Sequence, residues 1–127
     1  MTVVCSFSGK DHYALFIGNQ ELTRVVSEGS TFAFFDATFG LIPGRLDVLQ
    51  VRSAQILNIL CDFKGALICI MTIVMSARKL ALYQEIFRWF AENFTSFRPK
   101  QCMADWETAL RKAISTNWPE ARLLGCR

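Results

Sequence analysis

Two aspartates stand out by type and setting. Asp36 lies in Thr31–Phe39, among four phenylalanines, and Asp105 follows directly on Gln101–Ala104. If Thr31–Phe39 is a strand, Phe32, Phe34 and Asp36 share one face, because side chains alternate along a strand. Aspartate is disfavoured in strands, and a carboxylate among aromatic rings needs a positive partner. No lysine or arginine lies within the stretch, so that partner is a cation from elsewhere in the fold or a metal ion. In a sheet that sets these two strands side by side, Asp36 and Asp105 meet. Paired carboxylates of this kind suit Mg²⁺ or Mn²⁺, hard cations that take oxygen ligands, and two such ions can clamp the attacking and leaving oxygens of a phosphodiester. Each aspartate also has a local reading. Asp36 can end the strand and cap a turn through Ala37–Gly40, and Asp105 can be the N-cap of a helix over Trp106–Asn117.

The elements that position these acids can be taken in order. Residues 1–29 form a lead-in. Its first 15 residues mix polar and apolar types without a clear period, and His12 reads as a surface or packing residue. Leu15–Ile17 is a short strand, and a helix over about 20–27 follows, capped by Asn19, carrying Leu22, Val25 and Val26 on one stripe and closed by Gly29. After Thr31–Phe39, Gly40, Pro43 and Gly44 mark a loop to about Asp47. Gln55–Leu60 reads as a strand turned into a hairpin by Asp62–Gly65, with Ala66–Met75 as its partner. That partner is apolar on both faces, as a strand in the sheet interior covered by helices on each side would be.

Ser76 then caps a helix whose Leu80, Tyr83, Ile86, Phe87, Phe90 and Phe94 recur at spacings of three and four, and Arg98-Pro99 ends it. Gln101–Ala104 is a short strand. The next helix buries Trp106, Ala109, Leu110, Ala113 and Ile114, turns Arg111 and Lys112 outward, and stops before Pro119. A last strand covers Ala121–Cys126. The pattern is α/β: a three-stranded antiparallel start, then alternating helix and strand in one mixed sheet.

Bulk properties narrow the class. The 127 residues are enough for one domain, and 52% hydrophobic with 13% aromatic content, eleven residues of it phenylalanine, excludes a disordered chain. A net charge of +3, spread over scattered basic residues, permits nucleic-acid contact without defining a dedicated binding stripe. Five cysteines with no C-x-x-C pair, beside a single histidine, argue against a disulfide framework or a self-contained zinc site. With no signal-peptide pattern, and with Ala66–Met75 only about half the ~20 residues of a membrane span, the expectation is an intracellular protein, nuclear or cytoplasmic, away from membranes.

Four runs carry a resemblance. Phe35-Asp36-Ala37-Thr38-Phe39, Met75-Ser76-Ala77-Arg78-Lys79-Leu80-Ala81-Leu82-Tyr83, Met103-Ala104-Asp105-Trp106-Glu107-Thr108-Ala109-Leu110 and Pro119-Glu120-Ala121-Arg122-Leu123-Leu124-Gly125-Cys126 together resemble the catalytic domain of Mutator-like element (MULE) transposases. The resemblance spans residues 16–127 in the family's order and approximate spacing. It implies a ribonuclease-H-like fold over residues 30–127, a DDE/D triad of acids holding two divalent ions, and DNA as the substrate of strand cleavage and transfer. By matching motif, Asp36 is the first triad acid and Asp105 the second, both as metal ligands for Mg²⁺ or Mn²⁺. Gly125-Cys126 resembles the opening of the family's G-C-x-x-H motif.

The family's third acid lies in a later helix. The resemblance therefore implies a domain incomplete at its C-terminus, reduced to weak divalent-ion binding and without strand transfer. Gly40 and Val48–Ser53 depart from the family pattern. Glu107, Glu120, Asp47 and Asp62 do not replace the missing acid; Glu107, if helical, points about 200° away from Asp105. The alternative is a non-catalytic remnant whose uncovered sheet face meets a protein or DNA partner. A ribonuclease-H-like nuclease outside the transposases fits the topology but not the runs.

Overall fold

The computed structural model describes residues 2–8, 12–39 and 55–125; the expected loop of residues 40–47 and the divergent Val48–Ser53 lie outside them. Seven strands and three helices are described. In chain order they are β1 (Thr2–Ser8), β2 (Tyr13–Gly18), α1 (Gln20–Gly29), β3 (Phe32–Phe39), β4 (Gln55–Phe63), β5 (Ala66–Met75), α2 (Leu80–Asn93), β6 (Gln101–Ala104), α3 (Thr108–Asn117) and β7 (Arg122–Gly125). The strands form one mixed sheet in the order β1-β2-β5-β4-β3-β6-β7.

The antiparallel start arises from local chemistry. The Asp62–Gly65 turn closes through Lys64 at φ 50° and Gly65 at φ 84°, both left-handed, the geometry of a two-residue hairpin. Glycine is the residue that reaches such a φ at little cost. Antiparallel pairing of β4 with β5 and with β3 makes a three-stranded meander. The connection through α2 then returns the chain to the far side of β3, where β6 pairs parallel to it, and α3 leads to β7, parallel to β6. The N-terminal residues, which show no clear period, form the β1–β2 pair and extend the same sheet by antiparallel pairing of β2 with β5.

One face of the sheet holds the core. Phe16, Ala33, Phe35, Leu57, Ile59, Ile73, Met75, Cys102 and Ala104 are all buried there beneath Leu82, Ile86, Phe87, Phe90, Leu110 and Ile114 of α2 and α3. Phe35 is its aromatic centre, with ring centroids 5.3 Å from Phe87, 5.7 Å from Trp118 and 6.4 Å from Phe97. The opposite row, with Phe34, Ile56, Leu60 and Met103, is only half-buried. β5 is in the sheet interior as expected, but burial is confined to its C-terminal half; Leu67 near its start is 54% exposed.

Three local expectations are corrected. Asn19 does cap α1, accepting from the Leu22 N–H at 3.0 Å, but α1 buries Thr23, Val26 and Ser27 while Leu22 and Val25 are exposed. The Thr23 hydroxyl donates to the Ile70 carbonyl at 2.7 Å, so small side chains let the helix approach the strand backbone. Ser76 does not cap α2: its hydroxyl accepts from the Tyr13 N–H at 2.9 Å, and the helix starts after Lys79 without a side-chain cap. The last helix begins at Thr108 rather than Trp106, with Glu107 as its N-cap residue.

Candidate functional site

The register of β3 and β6 decides where the acids lie. Phe35 pairs with Ala104, the last pair between the two neighbouring parallel strands, so Asp36 within β3 and Asp105 just past the end of β6 each follow directly on that pair. Phe35 and Ala104 are buried, whereas Asp36 and Asp105 are exposed. β3 continues to Phe39, with Asp36 paired opposite Asn58, so Asp36 neither ends the strand nor caps a turn through Ala37–Gly40. Its exposure also removes the desolvation cost that a carboxylate among phenylalanines implied; the phenylalanine that is buried, Phe35, points to the other face.

The place in the sheet matters as much as the pair. β3, β5, β6 and β7 all run in the same direction, and their carboxyl ends come together. From β3 the chain leaves towards β4 on one side, while β6 flanks it on the other. Asp36 and Asp105 lie towards that end of the sheet. The cleft of about 510 Å³ lined by Phe97, Arg98, Lys100, Trp118 and Glu120 lies at the other end, where β6 and β7 begin.

Asp105 is held by its own turn. Its Oδ1 accepts from the N–H of Glu107, two residues on, at 2.9 Å, which replaces the expected N-cap role. Glu107 is extended, at φ −63° and ψ 119°, so the helical argument that turned it away from Asp105 does not apply. Its carboxylate is nonetheless engaged elsewhere, accepting from the Tyr83 hydroxyl at 2.9 Å. Tyr83 is fully buried and in turn accepts from the Gln55 side-chain amide at 2.7 Å. Burial pushes the Tyr83 phenol far above its ordinary value, the Gln55 amide opposes this, and the nearby Glu107 charge adds to it. A hydrogen-bonded line thus runs from the first residue of β4 through α2 to the turn that holds Asp105.

Arg111 corrects another expectation. Instead of facing out, it is partly buried and donates to the carbonyls of Ala104 at 3.2 Å, Asp105 at 3.4 Å and Leu124 at 3.1 Å, tying together the ends of β6 and β7. Its guanidinium also lies 4.5 Å from the centre of the Trp106 ring. Trp106, expected in the buried stripe of the helix, is 63% exposed. Of these residues only Trp106 left a trace in the sequence, as an aromatic beside a candidate acid. Tyr83, Gln55 and Arg111 carry no local sign of their role.

The donor set fits one hard dication in part. Two carboxylates with water in the other positions is a usual way to hold Mg²⁺. Among the described residues, however, no cluster of three or more histidine, cysteine, aspartate or glutamate side chains is assembled for a metal ion. Glu107, Asp62 and Glu120 do not complete one. Asp62 lies at the far end of the meander, where it accepts from the Ser30 hydroxyl at 2.6 Å and the Thr31 and Phe32 N–H groups at 3.0 and 2.8 Å.

By fold the chain is an α/β protein built on an open mixed sheet with helices α2 and α3 packed on its core face. No described helix is long and apolar enough to cross a membrane. No known family model and no curated protein sequence matches the chain.

Proposed function

We propose that the chain is a transposase-derived domain of the MULE type, ribonuclease-H-like in fold and related to metal-dependent DNA strand cleavage and transfer. The observation that carries this reading is the parallel pairing of Phe35 with Ala104, on which Asp36 and Asp105 each follow directly. The five strands from Phe32 onward support it: an antiparallel meander of three, then helix, strand, helix, strand, with the first and fourth side by side. The sequence runs around both acids supply the family resemblance.

In this reading Asp36 and Asp105 hold Mg²⁺ or Mn²⁺. When bound, such an ion lowers the pKa of an attacking water or 3′-hydroxyl and offsets the charge that develops on the phosphate. The chain's own contribution is positional. Glu107 fixes the Asp105 carboxylate through its backbone N–H, and Arg111 fixes the strand ends from which Asp105 and Gly125 project. With no third acid brought to the pair among the described residues, the domain binds the ion weakly and does not transfer strands.

Calorimetric titration with Mn²⁺ tests the site. Wild type should take up the ion weakly and an Asp36→Asn/Asp105→Asn double variant should not; identical isotherms for the two would remove the site.

A second reading is favoured by the half-buried apolar row of Phe34, Ile56, Leu60 and Met103. On this reading the domain is a non-catalytic remnant whose uncovered sheet face binds a protein or DNA partner. A cooperatively folding monomer that binds neither would rule it out.

A further inference from the structure

Trp106 is the most exposed of the large apolar side chains among the described residues, at 63%, and it follows Asp105 directly. An indole left this open asks for a reason, since no other aromatic side chain among the described residues is exposed. Trp118 is 7% exposed, and Phe35, Phe87 and Phe90 are at most 1% exposed. We propose that Trp106 is a stacking platform for an unpaired nucleobase of a nucleic-acid strand lying across the Asp36–Asp105 end of the sheet.

The ring is held at the strand ends by two contacts. The Arg111 guanidinium packs 4.5 Å from the ring centre while its hydrogen bonds to Ala104, Asp105 and Leu124 anchor it to the strand ends. Gly125, the last residue of β7, meets the indole so closely that a Cβ there would overlap it. The ring thus has two contacts anchored to the strand ends and is still 63% exposed. A ring fixed before binding loses little freedom when a base stacks on it, the economy that aromatic platforms for single strands exploit. The guanidinium beside the ring supplies the positive charge that such platforms often pair with an aromatic face.

The choice of a nucleobase as the ligand rests on the proposed function; the platform itself rests on exposure and geometry. Stacking predicts a preference that phosphate attraction cannot give, since an abasic strand carries the same backbone charge.

The experiment is an anisotropy titration of the wild-type chain in EDTA, with fluorescein-labelled twelve-residue oligodeoxyadenylate and an abasic oligonucleotide of equal length. Wild type should bind the base-bearing strand on the order of tenfold more tightly. Trp106→Ala should erase that preference, and Trp106→Phe should keep part of it, which separates loss of the platform from loss of the fold. Equal affinity of wild type for the two strands, binding of neither, or an undiminished preference in Trp106→Ala would overturn the proposal. Because EDTA removes divalent ions, the base preference reads Trp106 alone. The Mn²⁺ isotherm reads the acid pair alone, so either can fail without the other.

Discussion

Phe35 and Ala104 face each other across the parallel strands β3 and β6, and both are buried beneath α2 and α3. Since successive side chains alternate, this one pairing turns Asp36 outward at the level of Asp105. A slip of a single residue would bury the aspartate and expose the phenylalanine, so the aromatic contacts of Phe35 with Phe87, Phe97 and Trp118 are also what keep the acid in place. The candidate site is thereby fixed by the core on the other side of the sheet.

The line from Gln55 through Tyr83 to Glu107 makes a stability prediction. In Tyr83→Phe the buried Gln55 amide and the Glu107 carboxylate both lose a partner. Urea unfolding should show a loss of about 1–3 kcal/mol with an unchanged m-value. Burial also raises the Tyr83 pKa above its ordinary 10.0. The associated stability is present below that ordinary value and is lost as pH rises towards the folded value, because the unfolded chain ionises first. Wild type should therefore weaken above about pH 10 more steeply than Tyr83→Phe; parallel alkaline curves would contradict the assignment.

Asp62 ties the end of α1 to the start of β3 by accepting from Ser30, Thr31 and Phe32. Partial burial pushes its pKa up, yet the Ser30 hydroxyl and the Phe32 and Thr31 amides together bring it below the ordinary 3.8. A lowered folded pKa gives stability that is present above the unfolded value and is lost as pH falls through the folded one. Asp62→Asn should cost about 1–2 kcal/mol at pH 7, and the gap from wild type should shrink below about pH 4. Denaturation midpoints at pH 7 and pH 3 measure it, and a gap that is constant or grows in acid would speak against this role.

Among the described cysteines, Cys61 and Cys102 lie in the core and Cys69 is exposed. Burial pushes the Cys61 and Cys102 thiols up to about 12, which keeps them from forming the reactive thiolate. Brief alkylation of the folded chain at pH 8 followed by peptide mass mapping should modify Cys69 and spare the other two until denaturant is added. Early modification of Cys61 or Cys102 would mean that the β3–β4–β6 core opens readily.

Much of the fold is legible in the sequence because its signals are local. The Asp62–Gly65 hairpin, the α2 stripe of Tyr83, Ile86, Phe87 and Phe90, and the α/β alternation after Met75 each follow from turn chemistry or periodicity over a dozen residues. In the lead-in, the core of β2 is legible as Leu15–Ile17, but β1 is not: Thr2–Ser8 mixes polar and apolar residues and is defined as a strand by pairing with β2. The Asn19 cap is legible because its partner is three residues away, whereas the Ser76 cap is not. Ser76 has a capping side chain, but the Tyr13 N–H, brought close only by the sheet, takes its hydroxyl.

By itself the sequence determined which residues are candidates for chemistry, Asp36 and Asp105, and which elements carry them, since residue type and local pattern are written along the chain. Only the tertiary structure decided that β6 pairs beside β3, that Asp105 is tied to Glu107, that Glu107 is held by Tyr83 and that Arg111 turns inward beneath Trp106. Those relationships join residues through hydrogen bonds and packing whose partners become neighbours after the chain has crossed the sheet, and no period within one element encodes them.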